Sequence, residues 1–366
     1  LVRASRSHVA PLRLPHLLKD VPLGIKEHPL FYQVWDVHLG EGQSMYLYDA
    51  IMEGRPYPVE ALFIAGSNPL LTWPESSRLA EALKKVKFLA VMDLFMTDTA
   101  KHAHLLLPAA TFLERYELCD YYSVIFGIPY MMLRKKCIEP LGESRSDVDL
   151  WLEVARRMGF GEHFPWRSVE EVLDYALKPT GYTFKDLEEA YPSGVWFGAV
   201  NYGEYLKRGF KTPSGKVELY SETLAKHGYD PLPTPREPLE SPYGEGREEY
   251  PLVLTTGSRL IFYTHSQLRN VERLRKQCPE PYVEVNPDTA RAYGLRDGGL
   301  ALVETRRGSV TVKVKVTPSI APRILNMPHG WSEANVNLLT SRRPADPISG
   351  CPELKALLAK VTPLQP

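Results

Sequence analysis

The sequence predicts an α/β fold, in which a partial parallel-sheet domain is followed by a C-terminal β-barrel. Two apolar runs, 61–65 and 88–92, each stop abruptly at polar, turn-forming residues, and an amphipathic helical pattern separates them. This order is typical of a strand–helix–strand unit in a parallel sheet. Toward the C-terminus, alternation of valine with polar residues over 310–316 is typical of a strand with one packed face and one solvated face.

The residues between and after its strands support the prediction of the strand–helix–strand unit. Leu79 and Leu83 repeat at helical spacing, and Pro74 stands where the first residue of that helix is expected. Thr97 has the position of a helix cap, and 105–108 is a further apolar segment that ends at a proline.

Three domains are expected: an α/β domain over 1–140, a helical and connecting region over 141–249, and a barrel domain over 250–366. The middle region contains two pairs with the spacing of N-terminal capping pairs, Ser146 with Asp149 and Ser168 with Glu171.

The last domain changes to β character. Residues 252–255 predict a strand, and 301–304 is expected to pair with 310–316 through a turn at 306–308. A short helix is expected over 287–295. A closed barrel is the favoured arrangement, because closure removes exposed strand edges.

The composition restricts the class of partner. Lys+Arg and Asp+Glu are both 44 among 366 residues, so the formal net charge is +0, and no nucleic-acid partner is indicated. The chain contains no run of about 18 apolar residues, so we expect no direct membrane span.

The cysteines do not indicate a metal site. Cys119, Cys137, Cys278 and Cys351 form no Cys-x-x-Cys pair, so free thiols are expected, while a disulfide and the compartment stay open. The chain opens without an initiator methionine or a signal peptide, and we expect it to be a piece of something longer.

Polar residues follow both strands of the first unit. Gly66, Ser67 and Asn68 come after one strand, and Asp93 and Thr97 come after the other. Because the carboxyl ends of parallel strands share one edge, where ligands bind in open α/β sheets, these loops predict a nucleotide site. Gly66 allows close approach of backbone to a ligand, and the others offer hydrogen-bonding side chains.

A second candidate site follows the strand 252–255. This segment offers small residues and then a cation, a phenol and an imidazole: Thr256, Gly257, Ser258, Arg259, Tyr263 and His265. Arginine suits a phosphate or a guanine edge. A surface loop with an ion-paired arginine is an equally good interpretation.

Two further patterns are weaker. His102 and His104 could ligate a metal, but no third ligand is identifiable, and a structural role is favoured. Glu114 and Glu117 could share one helical face, where a solvated helix edge is the favoured interpretation.

Taken in order, several segments resemble the C-terminal part of the catalytic subunit of molybdopterin oxidoreductases, the dimethyl sulfoxide reductase type. Each segment alone has low specificity, and the resemblance depends on their order from about residue 60 to the C-terminus. The matching segments are 66–69, 93–100, 106–110, 212–220, 256–259, 265–266, 307–308, 328–331, 337–340 and 346–347.

The resemblance implies a bis-(molybdopterin guanine dinucleotide) cofactor holding Mo or W. It implies that Gly66, Ser67 and Asn68 lie against the pyrophosphate and ribose of one guanine dinucleotide, with Asp93 and Thr97 at its guanosine end. The last domain is then the family's double-psi β-barrel. Its implied cofactor-binding residues are Thr256, Gly257, Ser258, Arg259, Tyr263, His265 and Asn337.

The resemblance assigns neither a catalytic residue nor a metal ligand to this chain. In the family, the [4Fe-4S] cysteines and the metal-ligating residue precede this region, and none of the four cysteines matches them. The implied activity is two-electron redox or oxygen or sulfur transfer on a small-molecule substrate, in anaerobic respiration, with the fragment alone inactive. The implied partners are an iron-sulfur electron-transfer subunit and a membrane anchor subunit, in the prokaryotic cytoplasm or on the periplasmic side.

Three departures accompany the resemblance: Asp98 replaces a usual glutamate, His104 replaces a usual aspartate, and Ser258 is an extra residue. Three alternatives stay open, namely a non-redox acetylene-hydratase-like relative, a cofactor-less structural subunit of an electron-transfer complex, and a stand-alone module that binds the guanine end. The presence of Asn68 and Asp93 argues against the structural subunit.

Overall fold

Two sheets and a closed barrel organise the residues that this computed structural model describes, which are 21–34, 42–120, 127–200, 202–257 and 260–365. One sheet is parallel, the other is antiparallel, and the barrel has six strands. The predicted fold class, a parallel-sheet α/β unit followed by a C-terminal barrel, is confirmed.

The parallel sheet has the order β1-β2-β3, with strands β1 (Ala61–Ala65), β2 (Phe88–Asp93) and β3 (Leu105–Pro108). Its strand–helix–strand unit is as predicted, because the apolar face of the intervening helix buries Leu79 and Leu83 against the sheet. The helices of this part are α1 (Pro29–Val34), α2 (Leu47–Glu53), α3 (Pro69–Thr72) and α4 (Ser76–Lys85).

Helix α4 begins later than predicted. Pro74 lies before the helix, and Glu75 is its N-cap in the left-handed conformation, with φ 52°. The chain therefore turns sharply after α3, and the first helical residue is Ser76. Proline is well tolerated at the first helical position, but here the three-residue turn between α3 and α4 places Pro74 before the helix.

The middle region combines helices with a small antiparallel sheet, β4-β5-β6, that periodicity did not predict. Ser146 accepts a hydrogen bond from the Asp149 N–H at 3.1 Å, and Ser168 accepts one from the Glu171 N–H at 3.4 Å, so both predicted caps are confirmed. The elements are β4 (Glu117–Cys119), β5 (Tyr130–Arg134), α5 (Asp147–Arg157), α6 (Val169–Leu177), β6 (Val195–Trp196), α7 (Glu204–Arg208) and α8 (Glu222–Lys226).

The barrel closes in the order β10-β8-β11-β7-β12-β9, with both parallel and antiparallel pairs. The predicted hairpin of β9 and β10 is present, and alternate valines of β10 fill the barrel core. The elements are β7 (Leu252–Thr255), α9 (Glu272–Arg275), β8 (Tyr282–Val285), α10 (Pro287–Ala292), β9 (Leu300–Thr305), β10 (Gly308–Val316), β11 (Ile324–Asn326) and β12 (Leu357–Pro363).

The helices in the described ranges are too short or too polar for a bilayer crossing.

Candidate functional site

The β1 loop presents open backbone at the carboxyl edge of the parallel sheet. Gly66 has φ +56°, and its N–H donates to the Met92 carbonyl at 2.9 Å, which ties the loop to the end of β2. A Cβ built on Gly66 meets no atom within 4 Å. The left-handed conformation favours glycine, and the space above it is open for a ligand beside the exposed Ser67.

Asn68 joins the two loops at this edge. Its side chain is buried, and Oδ1 accepts hydrogen bonds from the Thr99 backbone N–H at 3.2 Å and the Thr99 hydroxyl at 2.7 Å. Among the residues that the structure describes, no acceptor contacts Asn68 Nδ2. Asn68 Oδ1 therefore has a structural role, whereas Nδ2 is available to donate a hydrogen bond to a ligand.

Asp93 ends β2 and starts an Asx turn. Its Oδ1 accepts from the N–H groups of Leu94 at 2.7 Å and Phe95 at 3.3 Å. Burial raises the pKa of this carboxyl, although the two backbone hydrogen bonds oppose the shift. Oδ2 contacts no donor among the described parts of the chain. The turn thus holds the carboxylate in place and leaves one oxygen for N–H donors.

Thr97 and Asp98 connect this loop to its surroundings. Thr97 Oγ1 accepts from the N–H of Ala100, the first residue of the short 3-10 helix Ala100–His102, at 3.1 Å, although the N-cap residue of this helix is Thr99 and not Thr97 as predicted. Asp98 accepts a hydrogen bond from the hydroxyl of Ser332, which lies in the loop after β11. The edge of the parallel sheet is therefore in direct contact with a loop of the barrel.

On the barrel side, Thr256 and Gly257 follow β7. Thr256 is buried, and its N–H donates to the Leu354 carbonyl at 3.3 Å. Gly257 has φ +75°, and a Cβ there would lie 2.3 Å from Asn326 Oδ1, so the position favours glycine and a larger residue would displace the Asn326 side chain. The next two predicted site residues, Ser258 and Arg259, lie outside the described residues.

Tyr263 and His265 occupy the same loop but differ in exposure. Tyr263 is buried, and its hydroxyl donates to the Cys278 carbonyl at 2.7 Å. Its ring packs edge-on against Trp331, with the centroids 5.7 Å apart. His265 is exposed, and its Nδ1 lies 2.8 Å from His329 Nε2. The phenol thus supports the loop from inside, while the imidazole lies at the surface.

Asn337 lies between the barrel and the sheet domain. It is buried, Nδ2 donates to the Leu71 carbonyl at 3.0 Å, and Oδ1 accepts from the Thr340 hydroxyl at 2.9 Å. Its side chain therefore attaches the barrel loop to α3, and the cofactor contact implied for Asn337 stays a prediction.

Sequence reasoning missed most of this attachment, which we call the clasp. Asn335 Nδ2 donates to the Leu70 carbonyl at 2.9 Å, and Arg342 pairs with both Asp49 and Glu75. Such contacts join residues more than 230 positions apart, so no local spacing signals them. The residues of the clasp are Ser332, Asn335, Asn337, Ser341 and Arg342 on the barrel side, and Asp49, Leu70, Leu71, Glu75 and Asp98 on the sheet side.

Of the two weaker sequence candidates, both glutamates and His104 make hydrogen bonds within the protein. Glu114 and Glu117 share no helical face, so that expectation was wrong: Glu114 accepts from the N–H groups of Thr111 and Leu141 in a turn, and Glu117 lies in β4. His104 Nδ1 accepts from the Leu89 N–H at 2.9 Å. In the described ranges, no three His, Cys, Asp or Glu side chains are grouped to hold a metal ion.

The fold and this site agree with the comparisons to protein families. Residues 40–157 match the family model described as molybdopterin oxidoreductase, and residues 252–358 match the molydopterin dinucleotide binding domain. The chain belongs to the molybdopterin oxidoreductase family.

Similarity to individual proteins supports the same family assignment. The chain is 33% identical over 297 residues to acetylene hydratase of Syntrophotalea acetylenica, an alignment that covers 78% of this chain and 38% of that protein. It is 29% identical over 345 residues to F420-dependent formate dehydrogenase subunit alpha of Methanocaldococcus jannaschii, covering 91% and 47%. The solved acetylene hydratase from Pelobacter acetylenicus superposes with a TM-score of 0.86 at 28% identity, covering 99% of this chain and 55% of that one. The chain therefore spans less than half the length of these two curated relatives.

Proposed function

We propose that this chain holds the guanine dinucleotide end of a bis-(molybdopterin guanine dinucleotide) cofactor in a molybdenum or tungsten oxidoreductase. The observation that carries the proposal is the joined pair of loops at the sheet edge, in which Asn68 is bonded to Thr99 and Asp98 is bonded to Ser332 of the barrel. A dinucleotide at this edge lies along a boundary that both domains form.

The free groups fit such a cofactor. Asp93 Oδ2 is an acceptor for the N–H groups of a guanine edge, and Asn68 Nδ2 is a donor for a phosphate or ribose oxygen. The open space above Gly66 admits a pyrophosphate close to the backbone. In our proposal Ser67 and Thr97 add hydroxyls on the sheet side, and Thr256, Gly257 and His265 contribute the barrel side.

When bound, the cofactor supplies two-electron redox or oxygen or sulfur transfer chemistry at its metal. The residues of this chain bind and orient the dinucleotide, and none of them is assigned as the catalytic group. The proposal includes a small-molecule substrate, an iron-sulfur electron-transfer subunit and a membrane anchor subunit. The [4Fe-4S] cluster and the metal ligand belong to sequence outside this chain.

Nucleotide binding by the 366-residue chain tests the proposal. We expect GDP to bind about tenfold or more tightly than ADP, because Asp93 accepts from guanine N–H groups that adenine does not present. Asp93→Asn keeps the Asx turn, because its amide oxygen can still accept from the backbone. It replaces the free carboxylate oxygen by an NH₂ donor and removes the negative charge, so the preference for GDP should disappear. Asp230→Asn, at an exposed ion pair with Arg236, is the matched control.

A second experiment identifies the cofactor itself. The holoenzyme that contains this chain, produced in a bacterium that makes the cofactor, should release the guanine dinucleotide on mass spectrometry and contain Mo or W by metal analysis. A holoenzyme that holds neither, together with a chain that does not distinguish GDP from ADP, would favour the cofactor-less structural subunit.

A non-redox hydratase is the second candidate, favoured by the structural likeness to acetylene hydratase over 99% of this chain. Hydration adds water to the substrate without consuming an electron donor or acceptor. A holoenzyme that converts acetylene to acetaldehyde with no change in a redox dye supports the hydratase. Turnover that depends on such a dye supports the oxidoreductase.

A further inference from the structure

One edge of the parallel sheet, the side of β1 away from β2, has unpaired backbone groups. The Phe88 N–H donates to the Glu60 carbonyl at 3.2 Å, and the Gly66 N–H donates to the Met92 carbonyl at 2.9 Å. Every second residue of a strand bonds to a given neighbour, so the intervening odd-numbered residues direct their N–H and C=O groups away from β2. They are Ala61, Phe63 and Ala65. Among the residues that the structure describes, these backbone groups have no hydrogen-bond partner. We call this side of β1 the open edge.

The sequence of β1 does nothing to protect the open edge. The strand reads Ala-Leu-Phe-Ile-Ala, without a charged residue or a proline, whereas edge strands are usually protected by charge, proline, bulges or a covering segment. The opposite edge of the same sheet differs. β3 ends at Pro108, and the Arg145 N–H pairs with the Pro108 carbonyl at 3.1 Å. An apolar, unpaired edge such as that of β1 is a template for another strand.

An apolar groove of about 270 Å³ lies beside the open edge. It is bounded by β1 itself, by Leu47 of α2, by Trp73 directly after α3 and by Leu79 and Leu83 of α4. These side chains offer little hydrogen bonding, and burying an unpaired polar group against them is unfavourable. An occupant of the groove must therefore be apolar on the side that faces the helices.

Helices cover both faces of the sheet at β1. Leu79 and Leu83 of α4 pack on one face, and on the other face Trp151 of α5 contacts Phe63, with the ring centroids 4.6 Å apart. Trp151 is still 44% exposed, so apolar surface remains next to Phe63 on this second face. Strands that are buried on both faces are typically parallel and read as continuous apolar runs. A strand that extends the sheet here is therefore expected to be parallel and apolar on both sides.

We propose that the open edge of β1 binds one further parallel strand, a run of about five apolar residues from the part of the full-length protein outside this chain. The strand exchanges backbone hydrogen bonds with Ala61, Phe63 and Ala65, and its side chains fill the groove. The two curated relatives contain enough further sequence for such a strand, since the alignments cover 38% and 47% of their lengths.

The added strand extends the candidate site. Ser67, which follows β1, lines the same groove at the carboxyl end of the strand. A parallel strand ends at this same edge of the sheet, so the loop after it adds backbone and side chains beside Ser67. This last step rests on the proposed function, because it makes the added loop part of the dinucleotide site. The strand pairing itself depends only on β1 and the groove.

Hydrogen exchange at single amides tests the pairing, with neighbouring amides of β1 as internal controls. In the isolated 366-residue chain, the amides of Ala61, Phe63 and Ala65 should exchange rapidly, while those of Leu62 and Ile64 are protected by their bonds to β2. In the full-length protein that contains this chain, all five should be protected. Exchange at the three open-edge amides should slow by about 100-fold or more.

Proline substitutions at the two edges of the sheet provide a matched pair. Ala61 and Leu105 are the first residues of β1 and β3, and the N–H of each points away from β2. Proline is tolerated at such positions, but it has no N–H to pair with a further strand. In the full-length protein, Ala61→Pro should speed exchange at Phe63 and Ala65 by about tenfold or more, and Leu105→Pro should leave it unchanged. Ala61→Pro should keep the urea midpoint of the isolated chain, which shows that the variant folds.

Two results from the wild-type proteins would overturn the inference. Open-edge amides that exchange equally fast in the full-length protein and in the isolated chain exclude the added strand. Open-edge amides that are already protected in the isolated chain show that this chain covers the edge itself or pairs with a second copy, and light scattering separates these two cases.

A ligand is excluded as the cause of protection with a dinucleotide probe, the metal-free, air-oxidised form of molybdopterin guanine dinucleotide. Added to the isolated chain, the probe should leave the open-edge amides unprotected, and protection by the probe alone would contradict the added strand. A chain that binds neither the probe nor GDP refutes the proposed function. The exchange comparison between the isolated chain and the full-length protein needs no ligand, so it still decides whether a strand pairs with β1.

Discussion

Arg342 and Asp49 form a buried bidentate ion pair although 293 residues separate them in the sequence. The two terminal nitrogens of Arg342 donate to the two carboxylate oxygens at 2.9 and 2.6 Å. Arg342 also donates to Glu75 at 3.2 Å and to the Met45 carbonyl at 3.0 Å. This pair attaches the barrel to α2, and it holds in place the loop that carries Asn335 and Asn337.

Replacing Arg342 should therefore weaken the attachment of the two domains. In Arg342→Leu the carboxylate of Asp49 stays buried without its main partner, and we expect the free energy of unfolding to fall by about 3–5 kcal/mol. Urea denaturation measures this loss.

Arg343→Leu is the matched control. Arg343 also contacts Asp49, at 3.1 Å, but 58% of its side chain is exposed. We expect a loss of less than about 1 kcal/mol, because solvent screens exposed pairs. Equal losses in the two variants would show that the pair with Arg342 does not fix the domains.

Asn337→Ala distinguishes a clasp residue from a cofactor contact. It removes a buried donor to the Leu71 carbonyl and the acceptor of the Thr340 hydroxyl, so the free energy of unfolding should fall by about 1–3 kcal/mol. Because both polar atoms of Asn337 are engaged inside the protein, the affinity for GDP should change by less than about twofold.

Asn68→Ala is the comparison for Asn337→Ala. It removes the acceptor for Thr99 and also the spare donor Nδ2, so both stability and GDP affinity should fall. If Asn337→Ala instead weakens GDP binding as much as Asn68→Ala does, Asn337 is a contact of the nucleotide.

Local patterns in the sequence predicted the parts of the fold that local forces determine. The strand–helix–strand unit, the caps at Ser146 and Ser168 and the hairpin of β9 and β10 each depend on residues close together in the chain. The sheet β4-β5-β6 was missed because two of its strands, β4 and β6, have only three and two residues, which is too short for periodicity to detect.

The candidate site likewise has parts that local sequence predicts and parts that depend on distant residues. The loops that hold Gly66, Asn68 and Asp93 were found from the sequence, since turn residues directly follow apolar strands. The acceptor role of Asn68 toward Thr99 and the clasp of Arg342 depend on distant partners, for which one sequence offers no signal. Tyr263 illustrates the limit, because its residue type suits a ligand while its hydroxyl is bonded to the Cys278 carbonyl.

Gly66→Ala tests the open space at the sheet edge. The added methyl group meets no atom of the chain within 4 Å, so the fold should lose only the cost of a left-handed alanine, about 1–2 kcal/mol. The methyl group would occupy the space of the pyrophosphate, so binding of the dinucleotide probe should weaken by about tenfold or more.

Gly294→Ala is a closely matched control, because Gly294 also has a positive φ, +65°, and open space above it. It follows α10, away from the proposed site. We expect the same loss of stability with unchanged binding of the probe. Indistinguishable binding by the two variants would argue against a cofactor at Gly66.

The depressed pKa of His329 predicts that acid destabilises the fold. The folded-state pKa is about 4, whereas an unfolded histidine titrates near 6.5, so the unfolded state binds more protons between these values. Stability should therefore rise with pH across this window and fall as the pH is lowered through it. From pH 7.5 to about pH 5.5, the wild type should lose on the order of 1 kcal/mol more than His329→Gln, in which all other titrating groups remain. Urea denaturation of both proteins at each pH measures the difference, and parallel stability profiles would show that His329 is not held neutral by the fold.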